Sequence, residues 1–181
     1  GDVLFNNTAP GQITVSGGPA NGVITANSAS GEVVFNGGSG LNAVDVNVNQ
    51  IIDFCTVASG TTVAVTTANG DINIEVDASD SVTITANGAG ADVVTCGLVT
   101  STNGPVTLQA NGGADSDVIL NNNVTSGGVL NLISGSGAGS DVTLASGVTA
   151  QGTSTNVTTP TLDMSAGSNA LIATTGDVTV S

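Results

Sequence analysis

The stretch from Val82 to Gly152 repeats itself three times over, and that repeat restricts the fold more than any other feature of the chain. Set in lines beginning at Val82, Val106 and Val129, it reads VTITANGAGADVVTCGLVTSTNGP, VTLQANGGADSDVILNNNVTSGG and VLNLISGSGAGSDVTLASGVTAQG. Each line holds an alternating apolar strand, a Gly/Ala/Asn/Ser turn, an Asp, a second apolar strand and a shorter third patch: Leu98-Val99, Val124 and Val148. A period of twenty-odd residues with no helical rhythm is the signature of a solenoid wound from coils, each burying its apolar face against its neighbours.

The rhythm extends back to the start of the chain. Apolar residues alternate over three to five positions, then Gly, Asn, Ser and Asp interrupt, which is the pattern of short strands joined by turns. Alternate strand starts form two columns: Val3, Val23, Val44, Val63, Val82, Val106 and Val129, and Ile13, Val33, Phe54, Ile72, Val93, Val118 and Val142. The spacing gives coils of about 20 residues early and about 24 from Val82, where the third patch enters. Side chains alternate across a strand, so Val82, Ile84 and Ala86 point inward, as do Val106, Leu108 and Ala110, and Ile72, Ile74 and Val76. After Gly152 the pattern loosens; TSTNVTTPT is irregular, and Pro160 cannot donate to a ladder.

The expected fold is therefore all-β: a parallel β-helix (β-solenoid) of right-handed winding with roughly eight coils of about 20–24 residues. Residues 1–152 form its repeats and 153–181 an irregular continuation of the same domain. The alternative is an antiparallel β-sandwich or jelly-roll fibre subunit, which would explain the ten-residue strand spacing. A sandwich would not make Val82–Gly152 repeat at its longer period, and the chain has no Trp or Tyr to fill such a core.

Composition narrows the function. The 181 residues include no Lys, Arg or His and 14 Asp plus Glu, for a net charge of −14. Enzymes usually draw on His, Lys or Arg for proton transfer or anion binding, so the expectation is a non-enzyme. Nucleic acid is excluded as a partner because its binding rests on Lys and Arg, and anionic membrane surfaces for the same reason. No run of about 18 apolar residues exists to span a bilayer as a helix. The chain opens at Gly1 in a strand-like pattern without a basic leader. Two cysteines, Cys55 and Cys96, would sit two coils apart, roughly 9–10 Å at strand spacing and beyond the reach of a disulfide. The reading is two buried thiols, with a bridge requiring a different winding or a second chain.

Acids form a column of their own. Glu32, Asp53, Asp71, Asp92, Asp117 and Asp141 stand just before second-column strands, with Gln12 at the first and Asp177 in the same Gly-Asp-Val context. In register they would stack roughly 5 Å apart, at a repulsion of about 1 kcal/mol per pair in water. Bound cations could relieve this. The plainer reading is that Asp accepts backbone N–H bonds at a turn. A second acidic group, Asp71, Glu75, Asp77 and Asp80, has its odd-numbered members on one side of a strand. Paired carboxylates also suggest glycoside hydrolysis, but no sugar platform accompanies them. Thr83-x-Thr85 raises an ice-binding row that the neighbouring coils do not repeat, and the sequons at Asn6, Asn123 and Asn156 are expected by chance in an Asn/Thr-rich chain.

Two resemblances follow. GAGADVV (Gly88–Val94), GAGSDVTL (Gly137–Leu144) and, more loosely, GGADSDVIL (Gly112–Leu120) resemble the calcium-binding nonapeptide of RTX proteins, with Asp115 where the pattern has Gly. That resemblance implies Asp92, Asp115, Asp117 and Asp141 as calcium ligands, with Asp71 joining them through the acid column. In RTX proteins the motif recurs every nine residues; here it occurs once per coil. No cofactor is required; calcium is the one ion considered. The run Ser116–Gly152 also resembles the repeats of filamentous haemagglutinin-type exoproteins, bacterial β-solenoid surface proteins. This implies an extracellular or cell-surface fibre with structural or adhesive work, against a cell surface or extracellular matrix. Strand-like sequence at both ends, Gly1-Asp2-Val3 and Asp177–Ser181, adds the expectation of head-to-tail self-association into a homopolymer. With no Lys or Arg, such a fibre offers trypsin-like proteases no site.

Overall fold

The computed structural model describes the strand backbone at 3–7, 13–16, 23–28, 33–36, 41–48 and 52–67, and residues 62–67 and 69–181 with their side chains. Every regular element among the described residues is a strand. In chain order these are β1 (Val3–Asn7), β2 (Ile13–Ser16), β3 (Val23–Ser28), β4 (Val33–Asn36), β5 (Leu41–Val48), β6 (Ile52–Thr67) and β7 (Ile72–Ala78). Then come β8 (Val82–Ala86), β9 (Val93–Ser101), β10 (Val106–Ala110), β11 (Val118–Leu120), β12 (Val124–Ser126) and β13 (Leu130–Ile133). The last are β14 (Asp141–Leu144), β15 (Thr149–Gly152), β16 (Thr155–Thr158), β17 (Thr161–Asp163), β18 (Ala170–Ala173) and β19 (Val178–Val180).

All the pairings are parallel, and they connect strands one coil apart, which makes the molecule a β-solenoid and rules out the antiparallel sandwich. Three files of strands run along it. The first holds β8, β10, β13, β16 and β19, about five turns, and continues back through the end of β6, then β5 and β3 to β1. The second holds β2, β4, the start of β6, β7 and β9, then β11, β14 and β17. The third holds the middle of β6, the far ends of β7 and β9, then β12, β15 and β18.

The expected inward residues are inward. Ile72, Ile74, Val76, Val82, Ile84, Ala86, Val106, Leu108 and Ala110 are all buried. Like stacks on like along the axis: Ile84, Leu108, Leu132 and Val157 form one row of the lumen. Burial of such a row at roughly 25 cal/mol per Å² acts together with a continuous backbone ladder, so each coil is held by its neighbours rather than by a core of its own.

Several sequence expectations shift. Ile24, not Val23, stacks between Val3 and Val44. Leu130, not Val129, stacks on Val106, because the inward phase of the third line is Leu130 and Leu132; Val129 is 37% exposed. Ile52, not Phe54, pairs with Val33 and Ile72. The third file does not begin at Val82: Val76 and Ala78 of β7 already occupy it, paired with Val99 and Ser101. The coils lengthen at their turns instead. Ile74 pairs with Thr95 and Val76 with Val99, so Cys96-Gly97-Leu98 spans the corner that Glu75 alone spans one coil below. That bulge turns Leu98 out, to 55% exposure, and leaves Cys96 exposed rather than buried. The Cys55 side chain lies outside the described residues. The stretch read as irregular after Gly152 contains β16, in register with β13 below and β19 above.

Candidate functional site

The turn from the first file to the second carries the acids. Asp71, Asp92 and Asp117 each precede a second-file strand and Asp141 opens one, and the strands' register puts them one above another. Their contacts are specific. The amide N–H of Asp92 donates to Asp71 Oδ1 (3.0 Å), that of Asp117 to Asp92 Oδ1 (2.8 Å), and that of Asp141 to Asp117 Oδ1 (2.8 Å). The carbonyls of Asp92 and Asp117 meanwhile accept from Ile72 and Val93. The carboxylates of Asp71, Asp92 and Asp117 thus each close a backbone donor that the turn would otherwise leave open, as Asp does in turns generally. All four are half-buried. Burial pushes the Asp92 carboxyl above its ordinary value; the Asp117 N–H opposes this, while the charges of Asp117, Asp71 and Asp115 add to it.

Asp115 stands apart, exposed at the tip of the turn. It occupies the left-handed region (φ +50°), as do Gly90 (φ +68°) and Gly139 (φ +81°) two residues before Asp92 and Asp141. The Asp-for-Gly replacement visible in the sequence therefore falls at a turn position that favours Gly. A Cβ on Gly139 would run into the Asp115 carboxylate.

Other expected acids separate. Asp53 is in register with Asn73, not Asp71, and its side chain lies outside the described residues, as do Gln12, Glu32 and the Asn6 sequon. Asp177 belongs to the first file's turn, where its carbonyl accepts from Thr155 N–H (3.0 Å). Asp71, Glu75 and Asp77 all face outward, but the corner at Glu75 splits them: Asp71 borders the second file and Asp77 lies in the third, paired with Thr100. Asp80 is in the next turn, its carbonyl accepting from the Ser101 hydroxyl. Among the described residues no three acidic or thiol side chains converge as an ion site. Of the remaining sequons, Asn123 is exposed with Oδ1 accepting from Thr149 N–H (2.8 Å), and Asn156 donates to Asn131 Oδ1 (3.0 Å).

The first file presents a different outer surface. Thr83, Thr107, Asn131, Asn156 and Thr179 make one outward row, and Thr85, Gln109, Ile133 and Thr158 a second. The rows are tied along the axis: Asn131 Nδ2 donates to Thr107 Oγ1 (3.2 Å) and Asn156 Nδ2 to Asn131 Oδ1 (3.0 Å). At the adjoining corner Asn111 Nδ2 donates to Asn87 Oδ1 (3.2 Å). The pairings of this file from Val63 to Val180 run without a register shift, whereas those through the corner at Glu75 do not. Sequence reasoning took Thr83 and Thr85 as an isolated pair because it looked for Thr alone; allowing Asn and Gln at the same parity reveals the rows. A cleft of about 250 Å³ beside this face is lined by Ser134, Thr158, Thr159 and Pro160 among others, and holds no acid or base.

No family model matches the sequence, and neither a curated protein nor a solved structure matches it.

Proposed function

We propose that this chain is a non-enzymatic extracellular structural protein that forms, or belongs to, a filament or fibre in which coils stack along the axis, as the resemblance to haemagglutinin-type exoproteins implies. The observation that carries the reading is the unbroken parallel ladder: one cross-section is repeated coil upon coil, so the architecture is extended by adding coils and by nothing else. Axial contacts that repeat one cross-section without closing on themselves propagate as filaments. The absence of Lys and Arg, together with short turns, suits a durable material in a protease-rich setting.

Electron micrographs of the purified protein, with their power spectrum, test this. Filaments with a layer line near 4.8 Å are expected, since strands then lie across the axis. Isolated compact particles at every concentration, or beaded filaments without that line, would refute axial stacking.

A further inference from the structure

We infer that the outer face of the first file is a lateral self-association surface, through which two copies of the solenoid, or two filaments of it, lie side by side. The inference deepens the fibre reading and rests on it for its biological setting.

The argument begins with charge. A chain with 14 acids and no cation repels a second copy of itself wherever carboxylates meet. Salt bridges between copies are unavailable to it, so any lateral contact must go through an acid-free surface. The residues described with their side chains include ten Asp and Glu, and none lies in Val63–Thr67, β8, β10, β13, β16 or β19. The acid column borders the second file, and Asp77 lies in the third. One coil before Ala64, the same register position is held by Asp45, which bounds the neutral run at its lower end. The neutral face is thus six rungs tall, and its register runs through all six without a bulge.

Shape and order agree with charge. Sheets that remain regular over many strands are commonly stabilised by stacking and by side-chain ladders, and Asn/Gln ladders with interdigitated neutral side chains are the means by which β-faces pair closely. Here the hydrogen bonds from Asn131 to Thr107 and from Asn156 to Asn131 already hold side chains in place, so docking costs less rotamer freedom.

Area sets the strength. Six rungs span about 24 Å along the axis and five residues about 17 Å across, so one copy offers on the order of 400 Å². That is roughly half of what each partner contributes to a standard stable interface. Single copies should therefore pair only weakly, while filaments, presenting the face repeatedly, should bundle firmly through multivalency.

The test compares variants by sedimentation velocity and electron microscopy, with circular dichroism to confirm folding. Thr83→Asp/Thr158→Asp places two charges on the neutral face at exposed positions. Thr125→Asp/Thr143→Asp adds the same charge to the third and second files. The first pair should weaken lateral association at least about tenfold and the second less than about threefold, since only the first sets like charges of two copies against each other; the second places its Thr143 charge opposite Asp163 of the same copy. Thr83→Val/Thr158→Val, neutral and strand-compatible, should keep the association and guards against a folding failure of the Asp pair. Filaments that never bundle, or bundling that survives the first Asp pair or is lost equally in the second, would overturn the proposal while leaving the fibre reading intact. Side-by-side dimers without filaments would support it and count against the fibre. Adsorption of a monomeric chain to ice or to a neutral polysaccharide, abolished by the first pair, would assign the face to another occupant and overturn it.

Discussion

Asp117 is the residue at which the meaning of the acid ladder can be measured. Its Oδ1 accepts the Asp141 N–H at 2.8 Å, and its own N–H donates to Asp92 Oδ1. Replacing it with Ala removes an acceptor from a half-buried amide, a loss of roughly 1.5–3 kcal/mol for a charge-assisted bond. The same change removes repulsion with the carboxylates one coil above and below, about 0.9 kcal/mol each at 4.8 Å in water. The two effects nearly offset in global stability, so a melting curve of Asp117→Ala alone would say little. Asp117→Asn separates them, because the amide oxygen keeps the acceptor while the charge is lost. The local readout is hydrogen exchange of the Asp141 amide by NMR. Its protection should fall about 10- to 100-fold in Asp117→Ala and less than about threefold in Asp117→Asn, a tenfold change corresponding to about 1.4 kcal/mol. Asn should also leave the protein as stable as wild type or up to about 1 kcal/mol more so. Equal exchange in the two variants would refute the backbone-capping account. If both variants lost stability in calcium buffer and matched wild type in chelator, the ladder would be an ion site instead.

Asp92, with its folded-state carboxyl raised chiefly by burial, binds its proton more tightly folded than unfolded. Its contribution to stability therefore grows as pH falls through the folded pKa toward the unfolded value, and is lost as pH rises; melting of wild type against Asp92→Asn from pH 7 to pH 4 should show that gain only in wild type. Leu108→Ala opens a void between Ile84 and Leu132 and should cost about 2–5 kcal/mol by denaturant unfolding. Asp115→Gly should stabilise by roughly 0.5–1 kcal/mol by relieving a left-handed non-glycine residue, whereas Gly139→Ala should destabilise by more than that, since it adds strain and meets the Asp115 carboxylate; thermal unfolding of the two variants checks both signs.

Much of this architecture is legible in the chain because the solenoid is a local code repeated. Strict alternation at Val82, Ile84, Ala86 and at Val106, Leu108, Ala110 determines the inward rows, and coil length follows from their spacing. The left-handed turn position is visible too, once Gly90, Asp115 and Gly139 are aligned. What the chain alone left open is register where two phases are both apolar. At Val129-Leu130 either residue could head the strand, and at Ile51-Ile52 both parities carry a large side chain. Only stacking on Val106 and on Ile72 chooses between them, because the pairing energy resides in the neighbouring coil. The same holds for the acids. Sequence placed Asp71, Asp92, Asp117 and Asp141 in one column, but whether each carboxylate faces an ion, solvent or the next coil's amide depends on which way the turn closes. The neutral face, likewise, is a property of six strands drawn from more than a hundred residues of sequence, and it exists only when the coils stack.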